Sequence, residues 1–166
     1  MGMNSIKNLL AGPLAFYIIF FGTWQPVQGQ TVENQLPKKH YWLTKSGVAL
    51  DGYDATSYFS GKPLEGKKQF AISPQMIVYW FSTQANLETF KANPNKYVPD
   101  YGGWCSYAIG AKGEKVEPDP KNFKLINGKI NLFYKDIFSN TREDWNKDEA
   151  NLKKQADQNW TQKIYK

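Results

Sequence analysis

The sequence predicts an α+β protein: a small antiparallel sheet of hairpins with helices packed on one side, ending in a helical C-terminal segment. Two hairpin signals and one apolar stripe carry that prediction. In "KKQFAISPQMIVYWFS", residues 67–82, Ser73-Pro74 divides two runs rich in strand formers. In "NFKLINGKINLFYKD", residues 122–136, Asn127-Gly128 divides two apolar runs. That dipeptide suits a two-residue hairpin turn, where both positions need positive φ. Trp145, Leu152, Ala156, Trp160 and Ile164 then recur at spacings of seven, four, four and four, one face of a helix.

The N-terminus is set apart from the fold. Lys7 is the only charge in the first 32 residues, and the apolar run "LLAGPLAFYIIFFG" follows it at 9–22. A polar stretch with Pro26 leads to the small residue Gly29. Positive start, short apolar middle and polar end form the pattern of a secretory signal peptide, residues 1–29. An uncleaved membrane anchor is the rival reading. A spanning helix needs about 20 mostly apolar residues, and this run is shorter, with Pro13 inside it. The chain is therefore expected to be exported, periplasmic or extracellular, with an anchored form as the alternative.

Residues 30–46, with Pro37, read as a flexible lead-in, and residues 47–166 as a single domain. "GVALDGYDATSYFSGKP", 47–63, reads as a short strand, a turn at Asp51-Gly52 and a short helix ended by Gly61 and Pro63. Asp54 can cap that helix by accepting from the N–H of residue 56 or 57. After the first hairpin, "STQANLETFKANP", 82–94, has helix punctuation. Ser82 or Thr83 caps it, Pro94 stops it, and Leu87 and Phe90 share a face. Turn residues crowd 95–103. Residues 137–164 lack Pro and Gly and read as helical. Asn146 and Glu149 have the form of a capping pair, which splits the segment near 146.

Charge and cysteine content narrow the chemistry. The net charge is +6 at pH 7, about +5 without Lys7. Lysines alternate with acids, and no block of like charge stands out. No basic stripe interleaves the aromatics, which argues against nucleic acid. Cys105, in "YGGWCSYA", is the only cysteine, and His40 the only histidine. An internal disulfide is excluded, so the domain must be held by its core. A metal centre needs several ligands, commonly four for zinc. Cys105 and His40 are the candidate ligands, with copper the metal that a soft sulfur favours.

Four readings of Cys105 follow: a buried thiol packed as a small hydrophobe, a ligand in a site, a nucleophile, for which His40 is the only available histidine base, or an exposed thiol used for redox sensing or intermolecular pairing. Tyr53, Asp54, Tyr58, Tyr101, Trp104, Cys105 and Tyr107 are the candidate walls of a ligand pocket, with Asp54 and Asp100 as its polar groups. Core packing of those aromatics is the plain alternative. Phosphate loops, C-x-x-C, H-E-x-x-H and nucleophile elbows are all absent from the sequence.

"GVALDGYDATSYFSGKPLEG", "YWFSTQANLETFKANPNKY" and "YVPDYGGWCSYA" together resemble the YHS-domain family, most closely its small exported bacterial branch. The likeness runs from about Gly47 to Trp160, so residues 47–166 are expected to be one YHS-like domain. Some family members, including those attached to copper-transporting ATPases, carry a cysteine pair thought to bind metal. Phe81 and Phe90 match the flanking phenylalanines, but the cysteine positions fall on Ser82 and Asn86. The pair is missing, so that metal site does not carry over. Ser82 then reads as a helix cap and Asn86 as an exposed helical residue. The first expectation is a non-enzymatic domain that binds a metal ion, copper foremost, or a small molecule near Tyr101–Tyr107. The alternatives are a module that contacts another envelope protein and a thiol-dependent enzyme using Cys105.

Overall fold

A computed structural model describes Met1 and residues 37–164. The chain divides into two units, 1–33 and 34–166, and all elements below belong to the second. The signal-peptide and anchor readings lie outside the described residues. No helix among the described residues is long and apolar enough to cross a membrane.

The described residues form an α+β fold with two separate two-stranded antiparallel sheets and five α-helices. β1 (Lys67–Ile72) pairs with β2 (Tyr79–Phe81) across the Ser73-Pro74 turn, with a bulge between Lys67 and Ala71. β3 (Asp119–Ile126) pairs with β4 (Lys129–Phe133). Asn127 and Gly128 have φ of 51° and 72°, the left-handed values that the turn requires. The hairpins do not merge into one sheet. Single bridges flank them instead: Val48 to Val78, beside β2, and Cys105 to Leu132, on β4.

Between the hairpins lie α1 (Gln84–Ala92), α2 (Pro94–Tyr97) and α3 (Ser106–Lys112). Thr83, not Ser82, caps α1 by accepting from the Asn86 N–H at 3.1 Å. Pro94 stops α1 and opens α2, where its missing N–H costs nothing. The stretch 47–63 is built from short 3-10 turns, Leu50–Gly52 and Ser57–Ser60, with bridges in place of the expected strand.

The C-terminal segment forms α4 (Thr141–Lys147) and α5 (Glu149–Asn159), then a wider turn over Trp160–Ile164. The break falls at Asp148, and α4 starts at Thr141 rather than 137. Asn140 caps it, accepting from the Arg142 N–H. The expected capping pair is used otherwise: Asn146 and Glu149 both accept from the Lys124 ammonium.

Two apolar clusters hold these elements. One gathers Leu50, Tyr58, Phe81, Phe90 and Leu132 between the first hairpin, α1 and β4. The other gathers Tyr101, Ile109, Phe133, Trp145 and Ala156, with Leu152, Trp160 and Ile164 packed against it. The C-terminal stripe thus faces a core as its spacing predicts. Trp104 packs against both clusters. In the stretch read as a lead-in, Lys38–His40 form a turn and His40, Tyr41 and Trp42 are buried. The packed part of the chain therefore begins before Gly47.

Candidate functional site

Cys105 is placed by backbone on both sides. Its N–H donates to the Val116 carbonyl at 3.0 Å, and it bridges Leu132 on β4. Upstream, Tyr101 and Gly102 both take positive φ, 52° and 61°. Gly102 is required by proximity as well: a Cβ there would lie 2.3 Å from the His40 carbonyl oxygen. The Gly102 carbonyl accepts from the Trp42 N–H at 2.9 Å, so the two segments are stitched at contact distance.

The thiol is fully buried. Its Sγ accepts from the Tyr134 N–H at 3.3 Å and lies 3.5 Å from Thr141 Oγ1. The Thr141 hydroxyl donates to the Tyr134 carbonyl at 2.9 Å. That uses its only proton, so in the sulfur contact the S–H must donate to Thr141 Oγ1. The sulfur is thus held between the Tyr134 backbone N–H and the Thr141 hydroxyl.

A cleft of about 280 Å³ opens beside it, lined by Cys105, Tyr107, Ala108, Lys112, Val116, Tyr134, Ser139 and Thr141. Tyr107, Ala108 and Val116 supply apolar wall. Ser139 and Thr141 supply hydroxyls, and Lys112 a cation. Of the residues expected to form a pocket, Cys105 and Tyr107 line this cleft. Tyr53, Asp54, Tyr58, Tyr101 and Trp104 are not among its lining. Tyr58 is buried in the first cluster, with its hydroxyl on the Pro120 carbonyl at 2.9 Å. Tyr53 faces Glu65 and Lys121. Tyr101 donates to Asp157 at 2.8 Å, and Trp104 Nε1 donates to the His40 carbonyl at 2.9 Å.

Lys112, Val116, Tyr134, Ser139 and Thr141 were not legible as site residues. Lys112 shares α3 with Tyr107 and Ala108, whereas Val116, Tyr134, Ser139 and Thr141 come from later segments that the Cys105–Val116 hydrogen bond and the pairing of Cys105 with β4 bring alongside. Ser139 was also hidden within a stretch read as helix.

The two aspartates expected to share a pocket lie in different networks. Asp54 is buried and accepts five bonds: from the Thr56 N–H and hydroxyl, the Ser82 N–H and hydroxyl, and the Asn86 amide. Burial alone would raise its pKa. The Asn86, Ser82 and Thr56 donors outweigh that and hold it below the usual carboxylate value. Ser82 and Asn86 therefore both bind this carboxylate. Asn86 is half-buried, not an exposed helical residue. Asp100 instead accepts from Asn131 at 3.2 Å, and Asn131 in turn accepts from Ser106 at 2.9 Å. Burial raises the Asp100 pKa, partly opposed by Lys153 at 3.9 Å and by Asn131.

These donor sets do not fit copper or zinc. The contacts of Cys105 Sγ are a backbone N–H and a hydroxyl, and Ser82 and Asn86 are engaged with Asp54. Among the described residues no three His, Cys, Asp or Glu side chains converge. His40 is buried rather than mobile, with its ring edge-on to Trp160 at 6.0 Å. Burial, then the charges of Lys115 and Lys39, lower its pKa.

Comparison of the chain with protein-family models, with curated proteins and with solved structures returns no match.

Proposed function

We propose that this is an exported, YHS-like binding domain that holds a small organic anion in the cleft beside Cys105. The observation that carries the reading is the lining itself: an apolar wall, two hydroxyls and one lysine around a shared space. Small-molecule sites combine apolar lining with a few polar groups that fix orientation. A volume of about 280 Å³ sits just below their usual range of about 300–1,000 Å³, so the ligand is small. Lys112 selects an anionic group, the Ser139 hydroxyl donates to it, and Tyr107, Ala108 and Val116 cover an apolar body, while the Thr141 hydroxyl stays committed to the Tyr134 carbonyl. Cys105 acts as the floor that fixes Tyr134 and Thr141, not as a nucleophile. The sequence adds the expectation of a non-enzymatic domain, and its N-terminal pattern that of export.

Thermal shift with octanoate, benzoate, inorganic phosphate and Cu(I) tests this. A ligand at 100 times its Kd stabilises the fold by about 2.7 kcal/mol. An organic carboxylate should raise the Tm saturably, with the shift lost in Lys112→Ala and in the cleft-filling Val116→Trp. No shift with either carboxylate, or one that survives Val116→Trp, would overturn the reading. A Cu(I) shift lost in Cys105→Ser would restore the metal alternative.

A further inference from the structure

The loop between β4 and α4 carries two adjacent large apolar side chains in water. Ile137 and Phe138 are each 88% exposed. The loop beneath them is locked. Asp136 Oδ1 accepts from the Phe138 and Ser139 N–H groups at 2.8 and 2.7 Å, and Oδ2 accepts from the Tyr134 hydroxyl at 2.6 Å. The Asp136 N–H returns a bond to the Ser139 carbonyl at 3.0 Å, and Lys135 bridges Asn140 across the neck. The tip is thus held in one shape before any partner arrives, so docking orders little that was free.

We propose that Ile137 and Phe138 form a wedge that inserts into the interfacial region of an anionic lipid surface. Size and charge favour lipid over protein. A specific protein interface buries about 800 Å² on each partner around an apolar centre, far more than two side chains on a projecting turn provide. A lipid surface needs only an apolar wedge with cations at headgroup level, and no complementary shape. Lys135 precedes the wedge and is exposed, Lys112 lies at the adjoining cleft, and the chain carries +6 overall. The carboxylates nearest in sequence, Asp136 and Glu143, accept from neutral donors and keep their charge, so the attraction comes from Lys135, Lys112 and the net positive charge of the chain. Basic residues beside an apolar wedge are drawn to anionic headgroups. The inference does not depend on the cleft binding a ligand.

The test uses the full chain with Ile137→Cys carrying an environment-sensitive fluorophore; buried Cys105 stays unlabelled in the native protein. A matched label at the exposed Lys68→Cys on β1 is the control. Vesicles of phosphatidylcholine, alone or mixed equally with phosphatidylglycerol, are added. The label at 137 should shift to the blue and be quenched by lipid-chain quenchers on the mixed vesicles only, with no change at 68. Unlabelled Ile137→Ser/Phe138→Ser, at unchanged Tm, should lower the affinity for mixed vesicles by roughly tenfold or more. A label at 137 that stays in water while the chain is vesicle-bound overturns the proposal. So does an equal response on neutral vesicles, or shielding by unlabelled chain without lipid, which would assign the tip to self-association.

Discussion

Asp54 anchors three segments through one carboxylate. Its five donors come from its own turn, from the end of β2 and from α1. Asp54→Ala leaves buried donors without an acceptor and should cost on the order of 3 kcal/mol. Asp54→Asn keeps the shape but loses the charge, so its cost should be smaller. The folded pKa lies below the unfolded one, which is near 3.9. The stability from this charge is therefore present above about pH 4 and fades as pH falls through the folded value. Urea melts across that range should show a flatter acid limb in Asp54→Asn than in wild type. Gly102 offers a second test, because a Cβ at 2.3 Å from the His40 oxygen forces the backbone apart. Gly102→Ala should lose at least about 1–3 kcal/mol, read by thermal melting; an unchanged Tm would contradict the close approach. The sequence marked 95–103 as crowded with turn residues and Asp54 as a local cap. It could not show that residues 40 and 82–86 supply the other half of each contact.

At the scale of elements, the hairpins and helices were the legible part. Asn127-Gly128 specifies its own turn, and the 145–164 stripe specifies its own buried face, because both signals lie within one segment. What failed were boundaries set from outside. Asn146 and Glu149 look like a local cap, but Lys124 on β3 takes both. Residues 137–140 have helical composition, yet Asp136 captures the next N–H groups and holds them in a turn. The stripe itself is graded. Trp145 is fully buried, edge-on to Phe133 at 5.5 Å, whereas Trp160 is half-buried. Trp145→Ala should cost about 3–5 kcal/mol and Trp160→Ala clearly less, measured by chemical denaturation. Equal losses would contradict the second cluster as described. Gly110 sets the approach of α3 to α5: a Cβ there would lie 2.7 Å from the Leu152 carbonyl oxygen. No signal within α3 alone reports that constraint.

At the scale of the molecule, acid should weaken the fold in two stages. His40 has a folded pKa below its unfolded value near 6.5, so the unfolded chain takes up that proton first. The His40 contribution is present above about pH 6.5 and fades below it, and the Asp54 contribution fades below about pH 4, where the unfolded chain protonates that carboxylate before the folded one does. His40→Gln should remove the first stage in pH-dependent melts while leaving the second. The α+β class was legible because hairpins and amphipathic helices write it locally. The cleft was half legible: the 101–107 segment pointed to Cys105 and Tyr107, and Lys112 follows on the same helix, but Val116, Tyr134, Ser139 and Thr141 meet them only through tertiary pairing. The central claim is that this cleft receives a small organic anion, and amide NMR during an octanoate titration tests it most directly. The account predicts saturable shifts clustered at Tyr107, Lys112, Tyr134, Ser139 and Thr141, with β1 and β2 unmoved. Shifts centred on the first hairpin, or none at saturating octanoate and benzoate, would contradict it.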